Sequence, residues 1–175
     1  MTTELLRIEA IANDLLYFSK PHKINKKLIN LVPLVKEVIY LFESLAFKRH
    51  ISINFSCDNE YIAIECDEVQ IKQALINFIK NAIEATSTNG EVTIKMEKDC
   101  NHNIAKISVS DTGCGMTGDE IQKLGTSFFT TKEDGTGLGI FVTYTIIKNH
   151  NGTIEVKSEK GQGTTFTITL PFVSQ

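Results

Sequence analysis

Asp111 stands beside Gly113 and Gly115 in the run D-T-G-C-G-M. Two further glycine clusters follow, Gly135-Thr-Gly137-Leu-Gly139 and Gly161-Gln-Gly163-Thr164, and the three runs hold most of the chain's 11 glycines. Glycine permits positive φ and lets backbone come close to a ligand, and a helix that opens at such a loop turns N–H groups and a positive dipole end toward an anion. The second cluster opens a helix and is therefore a candidate phosphate seat, although glycine turns also serve as plain connectors. It matches neither of the better-known phosphate loops. No G-K-[ST] follows, and the spacing is G-x-G-x-G rather than G-x-G-x-x-G. Asp111, at the end of a strand, could accept a hydrogen bond from an exocyclic amino group of a base, which adenine offers; an ordinary Asp-x-Gly turn is the competing reading.

Asn81 suits a different task. Its neutral amide oxygen can ligate magnesium, an ion that keeps most of its waters and bridges phosphates. Asparagine is otherwise unfavourable in mid-helix, so Asn77 and Asn81, aligned with Glu84 at steps of four and three, mark either a functional strip or a buried structural amide.

The elements that position these residues can be read from periodicity. From Asn30 a helix carries Pro33 in its first turn and Val35, Val38, Phe42 and Leu45 on one face. Ile51, Ile53 and Phe55 alternate as a strand, and Tyr61 to Ile64 form a second short apolar run. Asp67 with Gln70 then makes a helix-starting capping box. That helix runs to about Thr86 with Ile71, Leu75, Phe78, Ile79 and Ala82 as its core face. Val92, Ile94 and Met96, then Ala105, Ile107 and Val109, predict two antiparallel strands joined around Asp99 to Asn103. A helix follows from about Gly137 to Lys148, and a last strand pair, Thr153 to Lys157 and Thr164 to Leu170, closes at Gly161-Gln-Gly163. This order predicts an α+β fold, one layer of helices on one mostly antiparallel sheet.

Ahead of it, Leu5, Ile8, Ala12, Leu15 and Phe18 step by three and four as a coiled-coil stripe. Ser19 to Lys27 is a basic run broken by Pro21, and is the best boundary in the chain. The whole is 175 residues, 42% hydrophobic and 22% charged, the size of one soluble domain with a short appendage. Its net charge is −3 and its only arginines are Arg7 and Arg49, which argues against a phosphate-backbone-binding surface and so against nucleic acid as a partner. Cys57, Cys66, Cys100 and Cys114 form no C-x-x-C pair and read as reduced thiols of a cytoplasmic protein. No apolar run approaches the roughly 18 residues of a membrane helix, and no signal peptide opens the chain, so no membrane contact is expected of it.

In order, these segments resemble the catalytic ATP-binding domain of sensor histidine kinases, a member of the Bergerat fold shared with gyrase, a class of ATP-driven chaperones and the MutL proteins. Five motifs carry the likeness: an N box Asn77-Phe-Ile-Lys80-Asn81-Ala-Ile-Glu84-Ala85, a first glycine box Asp111 to Met116, an F box Phe128-Phe-Thr-Thr131-Lys132, a second glycine box Gly135 to Gly139 and a third from Gly161 to Phe166. The wording is similar to the sporulation-kinase type. The resemblance implies a two-layer α/β sandwich preceded by one coiled-coil-type helix. Residues 1–20 would be the end of the second dimerisation helix, 21–29 a linker and 30–175 the catalytic domain.

The resemblance also implies ATP and Mg²⁺ as the bound groups. Asp111 would bind the adenine amino group and Asn81 would hold the metal. Gly137 and Leu138 would present N–H groups to the phosphates, with Gly135, Thr136 and Gly139 in the same box. Ala85, then Gly113, Gly115 and Met116, and finally Thr164 would complete the nucleotide contacts. Gly118 to Thr136 would be a mobile lid carrying Thr131 and Lys132, with Lys132 placed to neutralise the γ-phosphoryl group and Lys80 a second basic candidate. Asn77, Asn81 and Lys132 are the catalytic candidates. Asn77 falls where hydrolysing members look to carry a Glu that activates water, and since an amide cannot be a general base, water attack is expected to be slow.

Departures matter as well. A phosphoacceptor histidine is normally followed by an acidic residue, but Lys23, Ile51, Asn103 and Asn151 follow His22, His50, His102 and His150. The expectation is a C-terminal fragment of a longer kinase, acting on the phosphoacceptor-histidine dimerisation helices of its parent, with a response regulator further on. Glu84 replaces the Lys of the N-A-x-K-Y/F variant, so that variant's phosphate contact does not carry over. Alternatives are a Bergerat-fold ATPase, an anti-sigma-type serine kinase, or a nucleotide-gated binding module.

Overall fold

The computed structural model describes residues 24–126, 128–130, 132 and 135–173. The stripe from Leu5 to Phe18, His22 and Thr131 lie outside them. The chain forms β1 (Lys27–Asn30), α1 (Leu31–Lys48), β2 (Ser52–Cys57), β3 (Ala63–Cys66), α2 (Glu68–Ala85), β4 (Glu91–Asp99), β5 (Ile104–Asp111), a short α3 (Gly118–Lys123), α4 (Gly139–Asn149), β6 (Thr153–Glu159) and β7 (Gly163–Pro171). Five strands make one sheet in the order β2-β4-β5-β7-β6, while β1 and β3 pair separately. Helix α2 lies between α1 and α4 and packs on the sheet, so the fold is the α+β two-layer arrangement that the periodicity predicts.

Alternation explains the two layers. Val92, Ile94 and Met96 of β4 and Ala105, Ile107 and Val109 of β5 are all buried, and the residues between them are not, as in an antiparallel sheet covered on one side. The expected α2 face, Ile71, Leu75, Phe78, Ile79 and Ala82, supplies the other half of the core. The Phe78 ring lies 5.0 Å from that of Phe166 on β7. Register then fixes the site: Asp111, the last residue of β5, is opposite Val92 of β4 on one side and Thr164 of β7 on the other.

Several local expectations change. Lys27 to Ile29, grouped by sequence with the basic connecting run, form most of a strand against β3, because Asn30 ends it by accepting the N–H groups of both Val32 and Ile62 and so starts α1. Strand β2 runs parallel to β4, its chain having crossed through β3 and α2 in between. Leu45 is 39% exposed; the buried row of α1 ends instead at Ala46, whose carbonyl takes the Ile51 N–H as the chain turns back. Helix α4 begins at Gly139, not Gly137, because Gly137 has φ +69° and a right-handed helix cannot include it. Short α3, within the stretch read as lid, starts at a reciprocal capping box between Thr117 and Glu120.

The Asp67–Gln70 pair is only half of the predicted box. Asp67 Oδ1 accepts from the Gln70 N–H at 3.2 Å. The Asp67 N–H, however, donates to Nε2 of His150 at 3.0 Å, so the glutamine does not reach back and its Oε1 is buried without a partner. All four cysteines are free. Among the described residues no helix is long and apolar enough to cross a membrane.

Candidate functional site

The first and third glycine runs meet at the carboxyl end of β5. Asp111 is 8% exposed there, and its Oδ1 accepts the Gly113 N–H at 2.9 Å. Burial pushes its carboxyl pKa up, while backbone N–H groups of Gly113 and Thr164 and the charge of Lys132 pull against that. The first and third glycine boxes are laced together by Ser158, whose hydroxyl donates to Gly163 O at 2.9 Å, accepts from Met116 N–H at 2.8 Å and meets the Thr164 hydroxyl at 2.9 Å. Gly163 has φ +99°, and a Cβ on it would lie 1.9 Å from the Asp111 carbonyl oxygen, so no other residue fits without moving that strand end. Gly115 joins the same knot beside Cys114, whose N–H donates to the Ala85 carbonyl at the end of α2.

The second glycine box opens α4 and is tied to α2, where Asn77 Nδ2 donates to Gly139 O. Its cap residue, Leu138, offers no side-chain acceptor to the first-turn N–H groups, which leaves the positive end of an 11-residue helix uncapped by side chains. Leu138's own N–H is taken by Thr136 Oγ1 at 3.3 Å. Gly137 passes so close to Phe128 that a Cβ would lie 2.3 Å from that residue's carbonyl carbon. The Gly135 N–H closes a turn onto the Lys132 carbonyl at 3.2 Å.

Along α2 the predicted strip is real, but its members do different work. Asn77 Nδ2 donates to Gly139 O and to Thr143 Oγ1, both at 3.2 Å, while the Thr143 hydroxyl donates to Gly139 O at 2.9 Å. Asn77 thus clasps the first turn of α4. One turn on, Lys132 Nζ donates to Asn81 Oδ1 at 2.8 Å and to Glu84 Oε2 at 2.5 Å. Lys80, more than half exposed, lies 3.9 Å from the other Glu84 oxygen.

The structure therefore brings together Asp111, the three glycine boxes, Asn77, Asn81, Ala85, Lys132 and Thr164; Lys80 stands at the rim and Thr131 is outside the described residues. Sequence reading missed Ser158 and Thr143. Ser158 sits on a strand where hydroxyls are ordinary, so it gave no signal. Thr143 did give one, as a polar residue now found fully buried in a row with Val142, Ile146 and Ile147.

Residues 66–174 match the family described as histidine kinase-, DNA gyrase B-, and HSP90-like ATPase. Sporulation kinase E of Bacillus subtilis (strain 168) is 39% identical over 171 residues, 98% of this chain and 23% of that protein. The histidine kinase ThkA, solved in complex with the response regulator protein TrrA, superposes with a TM-score of 0.84 at 34% identity over 98% of this chain and 49% of ThkA. Full-length ShkA, solved in complex with AMPPNP, gives a TM-score of 0.84 at 26% identity over 95% of this chain and 36% of its own. The chain thus spans about a quarter of the length of the curated relative it matches here.

Proposed function

The chain belongs to the family of histidine kinase-, DNA gyrase B- and HSP90-like ATPases, and from that premise we propose that it is the ATP-binding catalytic domain of a sensor histidine kinase. The observation that carries the reading is Asp111: a buried carboxylate at a strand end, walled by backbone of the first and third glycine boxes, in a chain whose second box opens a helix. A carboxylate so placed accepts from the exocyclic amine of adenine, and discriminates against bases that present a carbonyl there. The first turn of α4 takes the phosphates, with Gly135 to Gly139 supplying close backbone and the helix dipole supplying positive potential.

Magnesium fits the same strip. Asn81 Oδ1 already accepts from a cation, and oxygen is the donor this metal prefers. Among the described residues no cluster of three or more His, Cys, Asp or Glu is arranged to hold a metal, so the nucleotide's own phosphates would complete the coordination. A bound ion would offset negative charge on the phosphates. Lys132, which reaches Asn81 and Glu84 from the segment before the second glycine box, can offset charge on the γ-phosphoryl group.

In the reaction proposed, a histidine ring nitrogen of a dimerisation helix attacks the γ-phosphorus, the bond to the β–γ bridging oxygen breaks, ADP leaves and the imidazole proton goes to solvent. Asn77 supports transfer over hydrolysis, since it has no basic lone pair for activating water and both its donor hydrogens are spent on α4. We assign residues 1–20 to the end of a dimerisation helix and 30–175 to the catalytic domain; of the run 21–29 read as linker, Lys27 to Ile29 join that domain through β1, which leaves the connection ahead of them. The phosphoacceptor helices and a response regulator are the partners of this reading.

The test is to mix the chain with γ-labelled Mg-ATP and a separately supplied histidine-bearing helical hairpin. Label on the hairpin that is labile in acid and stable in base is the expected result. Label released only as free phosphate would instead favour the ATPase reading.

A further inference from the structure

Glu84 is the one charged residue of the α2 strip that the reading above leaves without a task. It follows Asn81 by three residues, so both side chains leave the helix on one face. Their oxygens converge: the Lys132 ammonium is 2.8 Å from Asn81 Oδ1 and 2.5 Å from Glu84 Oε2, while Lys80 touches the far oxygen of the same carboxylate at 3.9 Å. One neutral and one anionic oxygen thus share a single point, and a cation sits on it. That pair of donors is the kind a hard dication takes alongside phosphates and water. The ammonium now filling the point comes from 51 residues along the chain from Asn81, and its charge reaches Asp111 as well.

We propose that Asn81 and Glu84 form one cation seat that either Lys132 or magnesium fills, magnesium taking it when the metal–nucleotide binds. This rests on the nucleotide reading above. Two cations cannot share two oxygens at contact distance, so the Lys132 contact and metal occupancy exclude each other. Glu84 therefore raises magnesium affinity, and Lys132 competes with the metal. The exchange is feasible because Lys132 and Glu84 are about 40% exposed, and an ion pair that wet is weakly held. It also leaves Lys132 free, after exchange, for the phosphate role already given to it.

The experiment measures binding, not turnover. AMPPNP affinity is determined by calorimetry across a magnesium series for the parent, Glu84→Gln and Lys132→Ala, and the half-saturating magnesium concentration is compared. Glu84→Gln should raise that midpoint about tenfold, the scale on which a metal site loses a supporting carboxylate. Lys132→Ala should lower it about threefold, the scale of a wet ion pair removed as competitor. Both side chains are part-exposed, so folding is not at stake; a Glu84→Asp variant that shifts less than the Gln variant adds support. An unmoved midpoint in Glu84→Gln, or a raised one in Lys132→Ala, overturns the shared seat while the nucleotide reading stands. A parent that binds no AMPPNP at any magnesium concentration overturns both.

Discussion

Helix α4 meets its surroundings differently at its two ends, which are about 16 Å apart. At the start, Leu138 provides no side-chain cap, and the turn is held from outside by the Asn77–Thr143 clasp on Gly139. At the finish, His150 is 2% exposed: its Nδ1–H donates to the Ile146 carbonyl at 2.8 Å and its Nε2 accepts the Asp67 N–H at 3.0 Å. One residue there closes the C-terminus of α4 and the N-terminus of α2 together. The sealed end spends its polar groups on stability, and the open end leaves its positive pole without a side-chain cap, where the proposed reading puts the phosphates. Changes at the open end should therefore register in nucleotide binding, and changes at the sealed end in folding.

The largest effect should come from a residue that serves both. Gly163→Ala places a methyl against the Asp111 carbonyl in a backbone region hostile to side chains, and should cost about 3 kcal/mol or more by combined overlap and positive-φ strain. Urea unfolding checks this; an unchanged midpoint would mean that the glycine boxes are not a rigid wall. Asp111→Asn comes next and separates the two currencies. Nucleotide affinity should fall by about 1.5–3 kcal/mol, the scale of a charge-assisted hydrogen bond, with much less change in the urea midpoint. Equal calorimetric affinity in variant and parent would remove Asp111 from the site.

The sequence was most informative where a local pattern settles the matter. Strict alternation in Val92 to Met96 and Ala105 to Val109 fixed a one-sided sheet, and the 3.6-residue spacing from Ile71 to Ala82 fixed the helix above it. Long-range choices were not legible. Whether β2 pairs with its chain neighbour or with β4, and whether Lys27 to Asn30 stay extended alone or add to β3, depends on partners remote in sequence. The same holds within the site. Glycines and asparagines announced themselves as residues that break local rules, whereas the jobs of Asn77 and Asn81 diverge only because different elements face them. Gln70 matched a capping box and lost its place to His150, 83 residues along the chain from Asp67.

His150 tests the sealed end directly. Its two hydrogen bonds require a neutral ring, and burial pushes its pKa below the ordinary 6.5. The unfolded chain therefore takes up the proton first as pH falls, so stability present above pH 6.5 is lost through the window below it, at up to about 1.4 kcal/mol per pH unit. His150→Gln should be less stable at pH 7.5 yet lack that slope. Parent and variant with parallel losses between pH 6.5 and 5.5 would assign the slope to other groups. AMPPNP affinity at fixed pH should be nearly the same in both.

The smallest effect is the most discriminating, because Thr143 lies inside α4 between the two ends. Thr143→Val keeps the volume and removes the hydroxyl, so Gly139 O loses a donor and Asn77 loses an acceptor. The expected cost is about 1 kcal/mol, the ordinary net worth of one buried hydrogen bond, because of the two bonds lost only the one to Asn77 goes unreplaced: Gly139 O keeps the Asn77 N–H as a donor. If the clasp serves only packing, that cost appears in urea unfolding and AMPPNP affinity is unmoved. If it sets the angle of the first turn toward the phosphates, affinity drops about fivefold as well, the same free energy read at the site. Thr143→Ser keeps the hydroxyl and loses only a methyl, and should retain parental affinity. A serine variant as impaired as the valine one would place the effect in the methyl contact, and the open end of α4 would then owe its position to packing alone.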